Sequence, residues 1–159
     1  MKVLKEIVPY IVIILVVVLI RSFIVTPVRV DGSSMNPTLT NGEILILNKT
    51  VKSYNRMDVV VFNYKEERLI KRVIGVAGET VRIEDNTLYI NDKAIDDYRE
   101  DVKTADYELD VTIPEGYYFV MGDNRYNSTD SRLIGLVKAD DILGRVKVRI
   151  YPFMKLGKI

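Results

Sequence analysis

The chain has 159 residues, 48% apolar and 28% charged: enough hydrophobic side chain to fold, and too few residues for more than one ordinary domain with an appendage. Its 23 basic and 22 acidic residues leave a net charge of +1, so no global electrostatic drive toward nucleic acid exists. With no cysteine and no histidine, disulfides, thiol nucleophiles, cysteine or histidine metal sites and histidine-based triads are all excluded, and proton transfer near neutral pH falls to lysine, tyrosine, carboxylate or water.

From Ile7 to Val25 the chain is aliphatic or Phe apart from Pro9, Tyr10, Arg21 and Ser22. As a helix this stretch rises about 28 Å, one hydrocarbon thickness. Tyr10 to Ile20 has no polar face, and a helix apolar all round needs lipid or a core larger than the rest of this chain can supply. A cleaved secretory signal is the rival, since Lys2 and Lys5 precede the run, but Arg21-Ser22-Phe23-Ile24-Val25-Thr26-Pro27 offers no small-x-small cleavage site. The expected organisation is a cytoplasmic amino end over 1–6, a single-pass transmembrane signal anchor over 7–25 and an extracytoplasmic domain over 26–159. Charge supports that orientation only weakly, because Glu6 offsets the lysines while Arg21 and Arg29 flank the other side.

After Pro27 the pattern has period two or consists of short apolar runs bounded by turns. Strands are predicted at Val28–Val30, Glu43–Asn48, Val59–Tyr64, Leu69–Val76, Thr80–Ile83, Thr87–Ile90, Tyr117–Met121 and Val146–Tyr151. Turn residues separate them at Asn41-Gly42, Ala77-Gly78, Asp85-Asn86, Asn91-Asp92 and Pro114-Glu115-Gly116. No long amphipathic helix follows the anchor, so the fold class is mostly β, an antiparallel sheet or barrel-like domain behind a transmembrane helix.

The stretch 85–115 holds ten Asp or Glu against Lys93, Arg99 and Lys103, and reads as a small peripheral insertion. Its carboxylates have no metal-ligand spacing. The segment Asp123 to Ile134 fails as a calcium loop, with Arg125, Ser128 and Ile134 at positions that need a ligand, a glycine and a glutamate. Gly75-Val76-Ala77-Gly78 fails as a phosphate loop. No metal and no cofactor is implied.

One constellation remains. Asp31-Gly32-Ser33-Ser34-Met35-Asn36-Pro37-Thr38-Leu39 puts a serine in a turn between two predicted strands. A Ser/Thr turn or cap would account for that serine alone. A nucleophile would need a base, and without histidine that base is a lysine kept neutral by burial. Lys71, in Leu69-Ile70-Lys71-Arg72-Val73-Ile74, sits in a strand apolar on both faces and shares a face with Leu69 and Val73. Lowering a lysine from about 10.4 to neutrality needs roughly 4 kcal/mol against its charged form, which burial can supply. A solvated edge-strand lysine is the plainer alternative.

Four segments in order, Ser33-Ser34-Met35-Asn36-Pro37-Thr38-Leu39, Asp58-Val59-Val60-Val61-Phe62, Ile70-Lys71-Arg72-Val73-Ile74-Gly75 and Met121-Gly122-Asp123-Asn124-Arg125-Tyr126-Asn127-Ser128-Thr129-Asp130-Ser131-Arg132, resemble the sequence boxes of bacterial type I signal peptidases. The similarity covers essentially the whole chain, and its single-span layout resembles the Gram-positive branch. The resemblance implies Ser34 as nucleophile and Lys71 as general base. It implies that Ser128 hydrogen-bonds and orients the lysine amine, while Asp123, Asp130, Arg132 and Arg72 brace the site. Met35 would flank the substrate cleft, and Val28 to Gly32 with Leu69 and Ile70 would bind the substrate as an added strand. Two departures stand out: Gly32, where some members carry a serine that helps bind the oxyanion, and Met57, where glycine is usual.

The function so implied is a membrane-bound serine endopeptidase of the bacterial cytoplasmic membrane. It would cut signal peptides from exported pre-proteins after a small-x-small site on the extracytoplasmic side. Its partners are those signal peptides and the bilayer; the apolar end Ile150-Tyr151-Pro152-Phe153-Met154-Lys155-Leu156 is either a second contact with that bilayer or simply a final strand and tail. Two rival functions remain: a non-catalytic, membrane-tethered β-domain that captures signal peptides, and a self-cleaving Ser-Lys repressor-type peptidase. The second would carry a DNA-binding helical segment where this chain has an apolar helix.

Overall fold

A computed structural model describes residues 2–96 and 103–159. Helix α1 (Lys2–Phe23) carries the apolar run. From Lys5 to Phe23 its mean hydropathy is 2.3 and none of it is buried, so it is long and apolar enough to cross a membrane. It ends two residues before the expected Val25, because Ile24 turns and Val25 opens strand β1 (Val25–Arg29). The β-branched Ile24-Val25-Thr26 ahead of Pro27 favours extended backbone, and pairing of Val25 with Asn48 of β2 (Ile44–Asn48) captures it. Thr26 Oγ1 donates to the Arg21 carbonyl at 2.9 Å and Lys49 Nζ to the Ser22 carbonyl at 3.2 Å, so the helix end is tied to the sheet.

The main sheet adds β3 (Val59–Tyr64), β4 (Glu67–Gly75), β9 (Tyr117–Met121), β10 (Val137–Lys138), β11 (Ile142–Tyr151) and β12 (Gly157–Lys158). Its antiparallel path runs β1-β2-β11-β3-β4-β9-β10, with β12 on β11, and is open at both ends rather than closed into a barrel. Strand β11 starts at Ile142, earlier than the expected Val146, and register shifts on both its edges let it serve β2 and β3 together.

A second sheet, ordered β7-β6-β5-β8, comprises β5 (Val81–Glu84), β6 (Thr87–Ile90), β7 (Lys93–Ile95) and β8 (Tyr107–Glu108). Most of it comes from the acidic stretch 85–115, of which residues 97–102 lie outside the described residues. Its inner face is not solvated: Val81, Ile83, Leu88, Ile90 and Ile113 form one buried cluster with Ile74, Phe119 and Met121 of the main sheet. Two further clusters fill the main sheet, one of them (Val30, Met35, Leu39, Leu45, Leu47, Val59, Val61, Ile70 and Val146) directly beneath the Ser34 turn.

Candidate active site

Strand β4 makes the site possible by losing a neighbour part-way along. Glu67 to Arg72 pair with β3, but β9 joins the opposite edge only from Arg72 onward, where Arg72 meets Met121. Among the described residues, the half from Glu67 to Lys71 therefore keeps one free edge. A groove of about 810 Å³ runs between this edge and β1, with Val28, Val30 and Gly32 on one side, Leu69 and Ile70 on the other, and Ser34, Met35 and Lys71 in its lining.

The Ser34 turn is built from both ends. Gly32 takes a left-handed φ of +88°, and its N–H donates to Asn41 Oδ1 at 3.0 Å. Met35 and Leu39 sink into the core, and the Leu39 N–H donates to the Met35 carbonyl at 2.9 Å. From the segment after β9, the Asn124 N–H donates to the Ser34 carbonyl at 3.0 Å and Asn124 Nδ2 to the Ser33 carbonyl at 3.2 Å. Asn127 Nδ2 donates to Ser33 Oγ at 3.1 Å, so the Ser33 hydroxyl is engaged away from its neighbour. Gly122 leaves the necessary space, because a Cβ there would collide with Ser128 Oγ and come within 2.5 Å of the Ser34 carbonyl oxygen.

Lys71 is 2% exposed, and its Nζ donates to Ser34 Oγ at 2.7 Å and to the Ile70 carbonyl at 3.0 Å. Burial pulls its pKa down to about 8, against the opposing fields of Asp130 and Asp123, which favour the ammonium. Both carboxylates are held in forked pairs. Arg72 Nε and Nη2 donate to Asp123 at 3.0 and 2.8 Å, and Arg72 Nη1 donates to the Met57 carbonyl at 2.9 Å. Arg132 Nε and Nη2 donate to Asp130 at 2.9 and 2.8 Å, and Arg132 also reaches the Arg125 carbonyl at 3.0 Å. Burial alone would raise the pKa of Asp130, but the Arg132 hydrogen bonds and the Gly122 N–H at 2.9 Å outweigh it and hold the carboxyl below its usual range. Asp130 also caps the short helix α2 (Ser131–Ile134), accepting from the Arg132 N–H.

Ser128 departs from expectation. Its Oγ is buried beside Gly122 with no aligned hydrogen-bond partner, and the bond to the Lys71 amine is not formed. The hydroxyl lies close enough to Asp130 to favour its charged form, yet is not aligned with it.

The signal peptidase model of peptidase family S26 matches residues 3–151. Signal peptidase I T of Bacillus subtilis is 42% identical over 159 residues, covering 90% of this chain and 82% of that protein. The chain belongs to the signal peptidase family. Signal peptidase I of Bacillus caldolyticus is 37% identical, covering 94% of this chain and 92% of the relative. A crystal structure of a signal peptidase I from Enterococcus faecalis superposes with a TM-score of 0.54 at 36% identity, covering 60% of this chain and 97% of that one.

Against this family, the structure gathers Ser34, Lys71, Asp123, Arg72, Asp130 and Arg132 into one site and places Gly32, Met35, Leu69 and Ile70 along its groove. Asn124 and Asn127 were given no role from sequence, although both stand in the segment 121–132 that carries the resemblance. Met57 has a left-handed φ of +71°, which accounts for the glycine usual at that position.

Proposed function

We propose that Ser34 and Lys71 form the catalytic dyad of a membrane-bound signal-peptide-cleaving serine endopeptidase. The reading is carried by the 2.7 Å contact between a buried amine and a serine hydroxyl inside a groove flanked by two strand edges left free among the described residues. Once the amine is neutral, the same separation serves the reversed hydrogen bond, from Ser34 O–H to Lys71 Nζ.

In the proposed cycle Lys71 takes the Ser34 proton as Oγ attacks the scissile carbonyl carbon. The resulting lysine ammonium returns that proton to the leaving amine, which departs as the new amino terminus and leaves an acyl-serine. Lys71 then deprotonates a water that hydrolyses the ester and restores Ser34. The Ser34 backbone N–H is available as an oxyanion donor, and Gly32 contributes no hydroxyl.

The substrate lies in the groove as an added strand between β1 and the free half of β4, and small side chains before the cut suit the walls offered by Gly32, Met35, Leu69 and Ile70. With α1 in the cytoplasmic membrane and the domain on the extracytoplasmic side, the enzyme meets cleavage sites just outside their own apolar segments. Phe153 and Met154, 79% and 99% exposed, extend that contact to the bilayer interface. In nanodiscs, Phe153→Ser with Met154→Ser then lowers cleavage of a membrane-inserted pre-protein but not of a soluble peptide.

The deciding experiment incubates a pre-protein bearing a small-x-small site with the detergent-solubilised protein, Ser34→Ala and Lys71→Ala, and sequences the new amino terminus. Cutting after that site by the unaltered protein alone supports the dyad. Binding without cutting by all three favours a tethered binding domain.

A further inference from the structure

Glu43 is a fully buried carboxylate outside the reacting centre, 1% exposed and immediately before β2. It lies against Arg149 of β11: Arg149 Nε is 3.0 Å from Glu43 Oε2, an ion pair without an aligned hydrogen bond. One further contact of each side chain falls on the same short piece of chain. Arg149 Nη2 donates to the Thr38 carbonyl at 2.8 Å, and Thr40 Oγ1 donates to Glu43 Oε1 at 2.7 Å. Lys155 Nζ approaches the same carboxylate oxygen at 3.4 Å. Thr38 and Thr40 close the turn that begins at Ser34, and Leu39 between them is completely buried.

A buried ion pair is weak evidence of added stability, since apolar replacements of similar volume often serve as well. It does fix geometry, and here it fixes the far end of the nucleophile turn to the strand β11. The near end is held by Asn124. We propose that Glu43 and Arg149 are positioning residues, which act through the Thr38–Thr40 end of the turn to keep Ser34 Oγ in register with Lys71. Reaction between two groups in contact is steep in distance, so a shift of about 1 Å in the turn lowers turnover about a hundredfold, while the groove walls outside the turn, at Val28, Val30, Leu69 and Ile70, stay in place.

The proposal rests on Ser34 as the nucleophile, and its test separates the two. Cleavage of a soluble signal-peptide substrate is measured with the full-length protein in detergent, alongside thermal melting, for Ser34→Ala, Arg149→Met, Arg149→Lys, Glu43→Gln and Arg145→Met. Arg145 is a matched control on the same strand, paired with Asp58 at 3.0 Å and remote from the turn's contacts. The expected result is kcat lowered about tenfold or more in Arg149→Met with KM within about twofold, partial recovery in Arg149→Lys, and Arg145→Met losing similar thermal stability with kcat within about twofold. Glu43→Gln keeps the side chain's shape, so it carries the test if Arg149→Met does not fold, with the same split between kcat and KM expected. Turnover within about twofold of the unaltered protein in both Glu43→Gln and whichever Arg149 variants fold overturns the proposal, as does an equal loss of kcat in Arg145→Met at the same melting temperature. Undiminished cleavage by Ser34→Ala overturns the nucleophile assignment instead, and the positioning role with it.

Discussion

Gly122 and Ser34 approach so closely that a single methyl on Gly122 would lie 2.5 Å from the Ser34 carbonyl oxygen. The neighbouring Gly122 N–H already donates to Asp130, so the backbone cannot simply move away. Gly122→Ala is therefore expected to push the nucleophile turn off Lys71, lowering kcat about a hundredfold and the melting temperature by several degrees. Steady-state kinetics with a peptide substrate and a thermal melt test both.

The pH dependence follows from Lys71. Burial pulls its pKa down to about 8, and the proposed reaction needs the neutral amine, so activity should rise with pH through an apparent pKa near that value. Lys71→Arg, which cannot be deprotonated, should abolish the rise and the activity. A pH–rate profile flat from acid to alkaline conditions would remove the neutral-lysine mechanism.

Stability should move in the same direction. The lysine pKa falls from 10.5 unfolded to about 8 folded, so the unfolded chain binds the extra proton between those limits and the fold gains stability as pH climbs through them. Below them the buried ammonium opposes folding by about 3 kcal/mol relative to the neutral amine. Inactive Lys71→Met should therefore melt near neutral pH at or a few degrees above the unaltered protein; a drop of several degrees would contradict this.

The two buried carboxylates tune the same amine. Asp130 and Asp123 both favour its ammonium, so removing one charge lets burial act further. Asp130→Asn should shift the ascending limb of the pH–rate profile to lower pH while weakening the fork with Arg132. An unmoved limb would show that the field of Asp130 does not reach Lys71.

Ser128 should separate stability from activity. Its buried hydroxyl has no aligned partner here, so Ser128→Ala is expected to change the melting temperature by no more than about two degrees. If the hydroxyl turns to the lysine amine only when substrate is bound, activity falls about tenfold or more. Unchanged kcat would leave Ser128 as a packing residue.

Met57 bears an avoidable strain. Its φ of +71° costs a side-chain-bearing residue about 1–2 kcal/mol, while glycine adopts it freely and loses part of that gain to backbone entropy. Met57→Gly should stabilise the domain by about 1 kcal/mol, seen as a melting temperature a few degrees higher with kcat unchanged.

Legibility from sequence followed contact range. Strands β3, β6 and β9 match their expected limits because an apolar run and its flanking turns define them locally. Strands β7, β8 and β12 span two or three residues, too few to show a period, and exist through pairing with distant partners. Ser34 and Lys71 were readable as chemistry, a hydroxyl in a turn and a lysine in an apolar strand, although 37 positions separate them. The clamps on the turn were not, since Asn124 meets Ser33, and Arg149 meets Thr38, across 91 and 111 positions. Nothing local marks those residues as neighbours. The unformed bond at Ser128 shows the reverse limit, because matching residue types fix which group is present but not which way a hydroxyl faces.

The passage from α1 into β1 uses Ile24 alone, and the Thr26 and Lys49 hydrogen bonds stiffen even that joint. On the proposed reading, with α1 in a bilayer, that short joint limits how far Ser34 can swing outward or sink back. Ser34 would then work at a nearly set elevation above the lipid, like a blade bolted to its post. Selection among pre-proteins then depends on length as well as on side chains: a small-x-small site held too far from the end of its own apolar segment passes out of reach, however well it would fit the groove.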